Sequence, residues 1–345
     1  MLRLDASLSE DLEGTGAEAR RMESEGFATA WCGESKYDPF LRCLSAAAAT
    51  ERLRVGTAVA IAFGRSPLTT ASAAYDLARY SRGRFTLGLG SQVKSHIERR
   101  FSMPWSHPAA RMREYVTAVR AIWESWQEDK NLDFAGDFYT HTLMPPFFRP
   151  AAHEFGVPEI FLAAVGERMT EVAGEVCDGL AFHPFTTTRY LREVTLPAVA
   201  RGRARAGRDI DEFALCGPVL AATGRTEEEL AAATAGVRAQ IAFYASTPSY
   251  RGVLELHGWE AVAGELTAMT KQGRWSELAT LIDDEILDAV AVVGEPDAVA
   301  RQLVERYGPI ARSVSFSTPY QHDRTVWRDV AAEVARLTGA TRPVG

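Results

Sequence analysis

Three short segments of the sequence carry side chains that can exchange protons or bind an anion. Glu34 and Lys36 lie in the first segment, Lys94 and His96 in the second, and His183 in the third. Glutamate and histidine serve enzymes as general acids or bases, and lysine offers positive charge to an anionic ligand. The set suits proton transfer beside an anionic ligand, provided that the fold brings the three segments together.

Each of these residues also has an ordinary structural explanation. Lysines are common in short loops, and Glu34 could cap the helix that follows it. His183 precedes Pro184, so its imidazole could simply bond to the backbone of a rigid turn. The residue types alone leave both interpretations open.

A fourth segment is suited to binding phosphate. Ala163, Ala164, Val165 and Gly166 lead directly into a predicted helix over residues 168–176. The first N–H groups of a helix have no partner within it, and its positive dipole end attracts anions. The small side chains leave room for a ligand, although a tight strand-to-helix turn would also require small residues.

Several well-known motifs are missing. The glycines of Gly88-Leu89-Gly90 would need a third one where Val93 stands before they could form a dinucleotide-binding fingerprint. There is no H-E-x-x-H, G-x-S-x-G or P-loop motif, and a Schiff-base lysine would require desolvation that polar loops do not provide. None of the four cysteines forms a C-x-x-C pair, so we expect reduced, buried thiols and no metal site.

Strand-like and helix-like stretches alternate along the chain. The predicted strands cover residues 2–8, 28–33, 53–63, 84–90, 159–164, 179–182, 213–222 and 312–316. Strands that alternate with helices predict an α/β protein, here a (β/α)8 TIM barrel forming a single domain over residues 1–345. Insertions at the C-terminal face follow strand 4, precede strand 5 and separate strands 7 and 8. Active sites of such barrels lie at the carboxyl ends of the strands, so the segments around Glu34, Lys94 and His183 should meet there.

The composition narrows the range of partners. The 345 residues are 46% hydrophobic and 24% charged, with a net charge of −7. A negative chain is not expected to bind nucleic acid or an anionic membrane. The longest apolar run, residues 55–63, is too short to span a bilayer, and the N-terminus lacks the features of a signal peptide. We expect a cytoplasmic protein acting on a small molecule, and a homodimer is compatible with the sequence.

Several motifs resemble the luciferase-like monooxygenase superfamily. They are RGRFTLGLG at residues 82–90, Arg111 with Ile122-Trp123, the AAVG turn at residues 163–166 with Ala173-Gly174-Glu175 and Asp178-Gly179, and VGEP at residues 293–296. The likeness covers nearly the whole chain, and it is greatest to the branch of oxidoreductases that use the deazaflavin coenzyme F420. The resemblance implies a TIM-type barrel that binds F420, or alternatively FMN, at its C-terminal mouth.

The resemblance also assigns positions around that cofactor. The ring would lie against Ala58 and Val59, which would be joined by a non-proline cis peptide bond. Ser91 and Gln92 would border the tail, with positive charge from Lys94. The phosphate would lie on Ala164, Val165 and Gly166, the turn that the helix-terminus argument indicates separately.

Two departures from the family pattern favour reduction over alcohol oxidation. Many relatives carry an acidic residue and a histidine base after strand 2, where this chain has Glu34-Ser35. Relatives that oxidise sugar phosphates carry a glutamate where this chain has Val93. Alcohol oxidation needs a base, whereas reduction of an activated C=C or C=O needs only a proton donor. The candidate donors are Glu34, His96 and His183. An FMN-dependent monooxygenase and a catalytically idle flavin-binding protein remain the alternatives.

Aromatic side chains in two loops give the only indication of the substrate. Phe101 and Trp105 lie in the loop after strand 4, and Phe147 and Phe148 lie in the proline-rich loop before strand 5. If they cover the mouth they favour an apolar or planar substrate, but they could equally pack on the rim of the barrel.

Overall fold

The computed structural model describes residues 1–9, 11–321 and 323–339. Its strands are, in chain order, β1 (Arg3–Leu4), β2 (Ala6–Ser7), β3 (Thr29–Cys32), β4 (Arg54–Thr57), β5 (Ala60–Ile61), β6 (Phe85–Gly90), β7 (Phe134–Ala135), β8 (Thr140–His141), β9 (Glu159–Ala163), β10 (Gly179–Ala181), β11 (Ala214–Thr223), β12 (Ala291–Gly294) and β13 (Ser313–Ser317). All of these pair in parallel except β7 and β8, which form an antiparallel hairpin.

The helices surround this sheet. They are α1 (Thr15–Glu25), α2 (Pro39–Ala49), α3 (Pro67–Tyr80), α4 (Lys94–Arg99), α5 (Pro108–Gln127), α6 (Glu167–Val176), α7 (Thr188–Tyr190), α8 (Leu196–Arg205), α9 (Glu227–Ala245), α10 (Arg251–His257), α11 (Glu260–Lys271), α12 (Asp284–Val290), α13 (Pro296–Tyr307) and α14 (Thr325–Thr338). A π-helical segment, Leu191–Thr195, joins α7 to α8, and short 3-10 turns cover Ala62–Gly64, Pro146–Phe148, Pro248–Tyr250 and Trp275–Leu281.

The first strand closes the barrel. The hydrogen-bonded path runs β1-β13-β11-β10-β9-β6-β4-β3-β2, and its two ends are consecutive pieces of one stretch of chain. β1 pairs with β13 and β2 pairs with β3, so each neighbour is joined to a different half of that stretch. The sheet therefore has the eight positions of the TIM barrel predicted from the sequence.

Capping side chains and one glycine set the ends of several helices, and Asp38 rather than Glu34 caps α2. Asp38 accepts a hydrogen bond from Phe40 N at the start of α2, and Ser66 accepts one from Thr69 N at the start of α3. Gly26 ends α1 in the left-handed conformation with φ 88°, which glycine adopts without a steric penalty.

Two elements differ from the prediction. The loop after β6 contains the short helix α4. The insertion between β11 and β13 contains β12, which extends the sheet beside the end of β11. Neither was predicted, because α4 is only six residues long and β12 is stabilised by pairing with a distant strand rather than by local sequence.

The interior of the barrel is filled by two aromatic rings. Trp31 and Phe161 lie with their ring centroids 6.2 Å apart, and they form a small buried cluster with Ala214 and Cys216. Trp31 fits only because residue 56 of β4 is glycine, since a Cβ on Gly56 would come within 2.4 Å of the indole ring. The rings leave the space above them, toward the carboxyl ends of the strands, for a ligand.

A glycine on β6 allows the closest backbone approach in this part of the barrel. A Cβ on Gly88 would lie 1.8 Å from the carbonyl oxygen of Thr57. We expect Gly88→Ala to reduce the free energy of unfolding by about 3 kcal/mol or more, because β4 and β6 would have to separate. Urea unfolding of the cofactor-free protein measures this change.

Gly264→Ala is the matched control. A Cβ at this exposed position of α11 would meet no other atom within 4 Å, and alanine favours a helix over glycine. The control should be neutral or stabilising by up to about 1 kcal/mol. Equal stability of the two variants would contradict the close contact at Gly88.

Candidate functional site

A cavity of about 310 Å³ opens at the carboxyl ends of the barrel strands. Trp31 and Phe161 contribute aromatic surface to it, while Ala58 and Val59 follow β4 and His183 follows β10. A larger depression of about 460 Å³ lies outside the barrel beside Arg225 and Tyr320. We regard the mouth as the candidate site, because it lies at the carboxyl ends of the strands, where barrels of this kind bind their ligands, and because its lining is largely apolar.

The chain between β4 and β5 has the cis peptide bond expected from the family resemblance. The Ala58-Val59 peptide bond is cis, and both residues line the cavity. Val59 packs against the end of β6, where a Cβ on Gly90 would come within 2.5 Å of Val59 Cγ2. Gly88 and Gly90 therefore serve close packing at the mouth, which explains the Gly-Leu-Gly motif without a dinucleotide.

The turn before α6 has the properties that anion binding requires. Ala164 and Val165 line the cavity, and Gly166 is the exposed N-cap residue of α6. A Cβ on Gly166 would meet no atom within 4 Å, so the space beside the first turn is open. Glu167 places a carboxylate in that same turn, where Arg201 pairs with it at 2.8 Å. The turn can accept a phosphate on its backbone N–H groups.

The residues expected near the tail lie farther from the cavity. Ser91 and Gln92 are half-buried, with Ser91 Oγ donating to Gln92 O at 3.1 Å and Gln92 at φ 60°. Lys94 is exposed on α4, and its Nζ lies 3.8 Å from Glu98 Oε1. None of the three lines the cavity, so any contact with a ligand would be at its outer rim.

Glu34 is held against an arginine. Its Oε2 accepts hydrogen bonds from Arg65 Nη1 at 2.6 Å and from Ile61 N at 2.7 Å, and its side chain is only 7% exposed. Burial lowers the pKa of Arg65, but its bonds with Glu34 and Asp38 more than offset this, so that pKa is raised overall. Glu34 does not line the cavity, and this placement does not favour the role of proton donor.

His96 also lies away from the cavity. It is exposed on α4, a helix that the sequence did not reveal. Of the three donor candidates, His183 is the one that lines the cavity. The structure thus separates residues that the sequence placed together at the strand ends.

His183 is positioned by both backbone and side chains. Its Nδ1 accepts a hydrogen bond from Phe185 N at 3.1 Å, and its Nε2 lies 3.0 Å from the Tyr250 hydroxyl. The rings of Tyr250 and Tyr244 lie with centroids 4.3 Å and 4.7 Å from the imidazole. Burial lowers the pKa of His183 to about 4, so the ring is neutral near pH 7.

The two tyrosines beside His183 were not predicted from the sequence. Tyr244 lies on α9 and Tyr250 lies in the 3-10 turn Pro248–Tyr250, and both belong to the insertion between β11 and β13. No local pattern connects them with His183, which is 67 residues from Tyr250. Only the expectation that insertions lie on the C-terminal face could have drawn attention to that segment.

The loop aromatics divide into two groups. Phe101 packs against Gly64, and Trp105 lies with its ring centroid 5.7 Å from that of Phe63. Phe147 and Phe148 are 90% and 69% exposed and contact each other. The first pair packs on the barrel rim, and the second pair does not cover the mouth.

The described residues contain neither a metal-binding cluster nor a membrane-spanning helix. Within the described ranges, no group of three or more His, Cys, Asp or Glu side chains is arranged to hold a metal ion. The four cysteines are free and buried. No helix in the described part of the chain is both long enough and apolar enough to cross a bilayer.

Comparison with known proteins shows the family. Residues 3–313 match the family model described as luciferase-like monooxygenase. An uncharacterized protein of Mycobacterium tuberculosis is 50% identical over 305 residues, covering 88% of this chain and 90% of that protein. Another protein of the same organism, provisionally named a coenzyme F420-dependent oxidoreductase, is 30% identical over 304 residues, covering 81% and 84% of the two chains.

Solved structures share the barrel. The coenzyme F420-dependent tetrahydromethanopterin reductase of Methanopyrus kandleri superposes with a TM-score of 0.77 at 20% identity, over 97% of both chains. The oxygenating constituent of 3,6-diketocamphane monooxygenase from Pseudomonas putida, in complex with FMN, has a TM-score of 0.72 at 14% identity, over 97% and 98%. These likenesses confirm the fold, and they show that proteins with this fold use either F420 or FMN.

The half-buried, neutral His183 should make the free energy of unfolding depend on pH. Because its folded-state pKa of about 4 lies below the ordinary value of 6.5, the unfolded chain binds a proton that the folded chain does not. The contribution of His183 to the free energy of unfolding is therefore smallest in acid. Stability falls as the pH decreases from 6.5 toward 4. His183→Asn, which keeps an acceptor near Nδ1, should remove about 2 kcal/mol of the difference in unfolding free energy between pH 7 and pH 5.

Urea unfolding of both proteins at the two pH values measures this difference. An identical loss of stability in acid for the wild type and His183→Asn would show that His183 is not buried in its neutral form.

Proposed function

The chain belongs to the luciferase-like monooxygenase family, and we propose that it is an F420-dependent reductase acting on an activated C=C or C=O of a small molecule. One observation carries the proposal: the apolar mouth cavity lies beside the open N-terminal turn of α6. An apolar surface for a planar ring therefore lies next to backbone N–H groups that can bind a phosphate. The sequence relative named for F420 supports this cofactor over FMN.

The residues at the mouth fit such a cofactor. Ala58 and Val59 would lie against the ring, and Ala164, Val165 and Gly166 would hold the phosphate. At about 310 Å³ the cavity falls at the lower end of the range for small-molecule sites, so it suits the ring while the tail extends outward over the rim. Bound F420 would supply the hydride for the reduction.

The protein's own part is to exclude water and to position a hydrogen-bond donor. Trp31 and Phe161 form the apolar floor of the cavity and keep solvent from that side. Because His183 Nδ1 accepts from Phe185, the neutral ring carries its proton on Nε2, beside the Tyr250 hydroxyl. A neutral imidazole can polarise a carbonyl, and this pair is our choice for the donor near the substrate.

The proposed direction of the reaction rests on the absence of a base. Glu34 accepts from Arg65 and Ile61, while Ser35 and Val93 stand where relatives carry basic or acidic residues. The low pKa of His183 makes it a weak acceptor for the proton of an alcohol. Reduction therefore fits these residues better than alcohol oxidation.

Cofactor choice can be tested by titration. We expect F420 to bind with a Kd in the micromolar range or below, detected by its fluorescence. Gly166→Trp should weaken F420 binding by about 100-fold, because the indole would occupy the space in which the phosphate approaches the first turn of α6.

Gly264→Trp, at an exposed glycine far along the chain, is the matched control and should bind F420 normally. Tight binding of FMN with no response to F420 would replace this proposal with the monooxygenase alternative. Binding of neither would favour an idle member of the family.

The chemistry can be tested with two panels of substrates. Reduced F420 is offered with activated alkenes and carbonyls, and oxidised F420 with alcohols and sugar phosphates. We expect turnover with the first panel, reduced about 100-fold or more in His183→Asn while F420 still binds.

Glu34→Gln is the comparison variant, and it should affect turnover less than His183→Asn. A loss confined to Glu34→Gln would return the role of proton donor to Glu34. Turnover with only the second panel would overturn the assignment of a reductase.

A further inference from the structure

Arginines cluster at the end of the barrel opposite the mouth. Arg54 Nη2 lies 2.8 Å from Glu159 Oε2, and Arg312 Nη1 lies 2.8 Å from Glu159 Oε1. Arg54 is the first residue of β4, Glu159 is the first residue of β9, and Arg312 immediately precedes β13. All three therefore lie at the amino ends of their strands. One carboxylate therefore serves two guanidinium groups.

A third arginine adds charge that no carboxylate balances. Arg3, at the start of β1, borders the same cavity as Arg54, Glu159 and Arg312. No ion pair or side-chain hydrogen bond joins Arg3 to another residue in the described part of the chain. Asp5 lies deeper and is fully buried, and burial raises its pKa, which works against a compensating negative charge there. Three arginines and one glutamate leave a surplus of two positive charges.

Neighbouring charges act on Arg54 in both directions. Burial is the main cause that lowers the pKa of Arg54, Arg312 and Arg3 lower it further, and Glu159 and Asp5 raise it. An anion near these arginines would relieve their mutual repulsion. Arg54 uses one terminal nitrogen for both Thr86 and Glu159, which leaves its other N–H groups available.

The cavity between these arginines measures about 220 Å³. Its lining also includes the apolar side chains of Phe85, Phe155 and Pro158. A guanidinium presents N–H groups in a planar fork that matches the oxygens of phosphate, and charged hydrogen bonds of this kind are strong. The space therefore has a cationic side for an anion and an apolar side for a small organic group.

We propose that this cavity at the amino ends of the strands is a binding site for a phosphate dianion, either free phosphate or the head group of a small phosphate monoester. Arg3 is the principal free donor, and Arg54 and Arg312 add their remaining N–H groups. The site lies at the opposite end of the barrel from Gly166, so it is separate from the phosphate position at the mouth.

Isothermal titration with inorganic phosphate tests the proposal, with chloride keeping the ionic strength constant. Arg3→Gln should weaken phosphate binding about tenfold or more, because it removes charged hydrogen bonds to the anion. Arg52→Gln is the matched control, since Arg52 is exposed two residues before Arg54 and does not border the cavity. It should bind phosphate as the wild type does. Gly166→Trp blocks the phosphate position at the mouth, and it should retain the part of the binding isotherm that Arg3→Gln removes.

Two results would overturn the proposal. One is binding heat that chloride reproduces at the same ionic strength. The other is loss of binding in Gly166→Trp together with normal binding in Arg3→Gln, since phosphate would then bind only at the mouth. Unfolding midpoints without phosphate show whether each variant is folded.

Phenyl phosphate identifies the source of the ligand. Tighter binding than inorganic phosphate, lost in Arg3→Gln, assigns the apolar wall to the body of a monoester. Equal or weaker binding assigns the site to free phosphate.

Discussion

The packing of Trp31 in the centre of the barrel is the contact on which the rest of the molecule depends. Its indole N–H donates to Asp5 Oδ2 at 2.9 Å, and Ser313 Oγ donates to the same oxygen at 2.5 Å. These bonds connect the strands on either side of the closing strand. The ring needs Gly56 opposite it, and it divides the interior into an apolar mouth above and an arginine-rich end below.

The two ends of the barrel differ in chemistry because of that division. At the mouth, His183 is kept neutral by burial and the lining is mainly apolar, which suits a planar ligand and discourages free proton exchange. At the other end, Arg3, Arg54 and Arg312 outnumber Glu159. Hydride chemistry fits the first environment, and an anion fits the second. The filled interior separates the two environments, so charges at one end of the barrel act only weakly at the other.

Much of this arrangement could be read from the sequence, because it depends on local pattern. Strand and helix alternation predicted the barrel, and Ser66-Pro67 and Gly26 marked helix ends through their own backbone preferences. The small residues before α6 predict a turn with room for an anion, and the space beside Gly166 is open. The position of the cis bond at Ala58-Val59 followed from the family resemblance and is confirmed.

The tertiary structure alone decided which side chains meet. Glu34 and His183 both follow strands, yet Glu34 bonds to Arg65 while His183 reaches Tyr250 in a distant insertion. A strand end specifies a face of the barrel but not the direction of each side chain, and that direction depends on long-range packing. The strand β12 likewise exists because it pairs with β11. The sequence by itself determined the fold, since the alternation of strands and helices follows from local periodicity, and it predicted a site at the carboxyl ends of the strands. That His183 lines the mouth cavity, whereas Glu34 and His96 do not, was decided only by the folded chain, because contacts between residues far apart in sequence leave no local pattern.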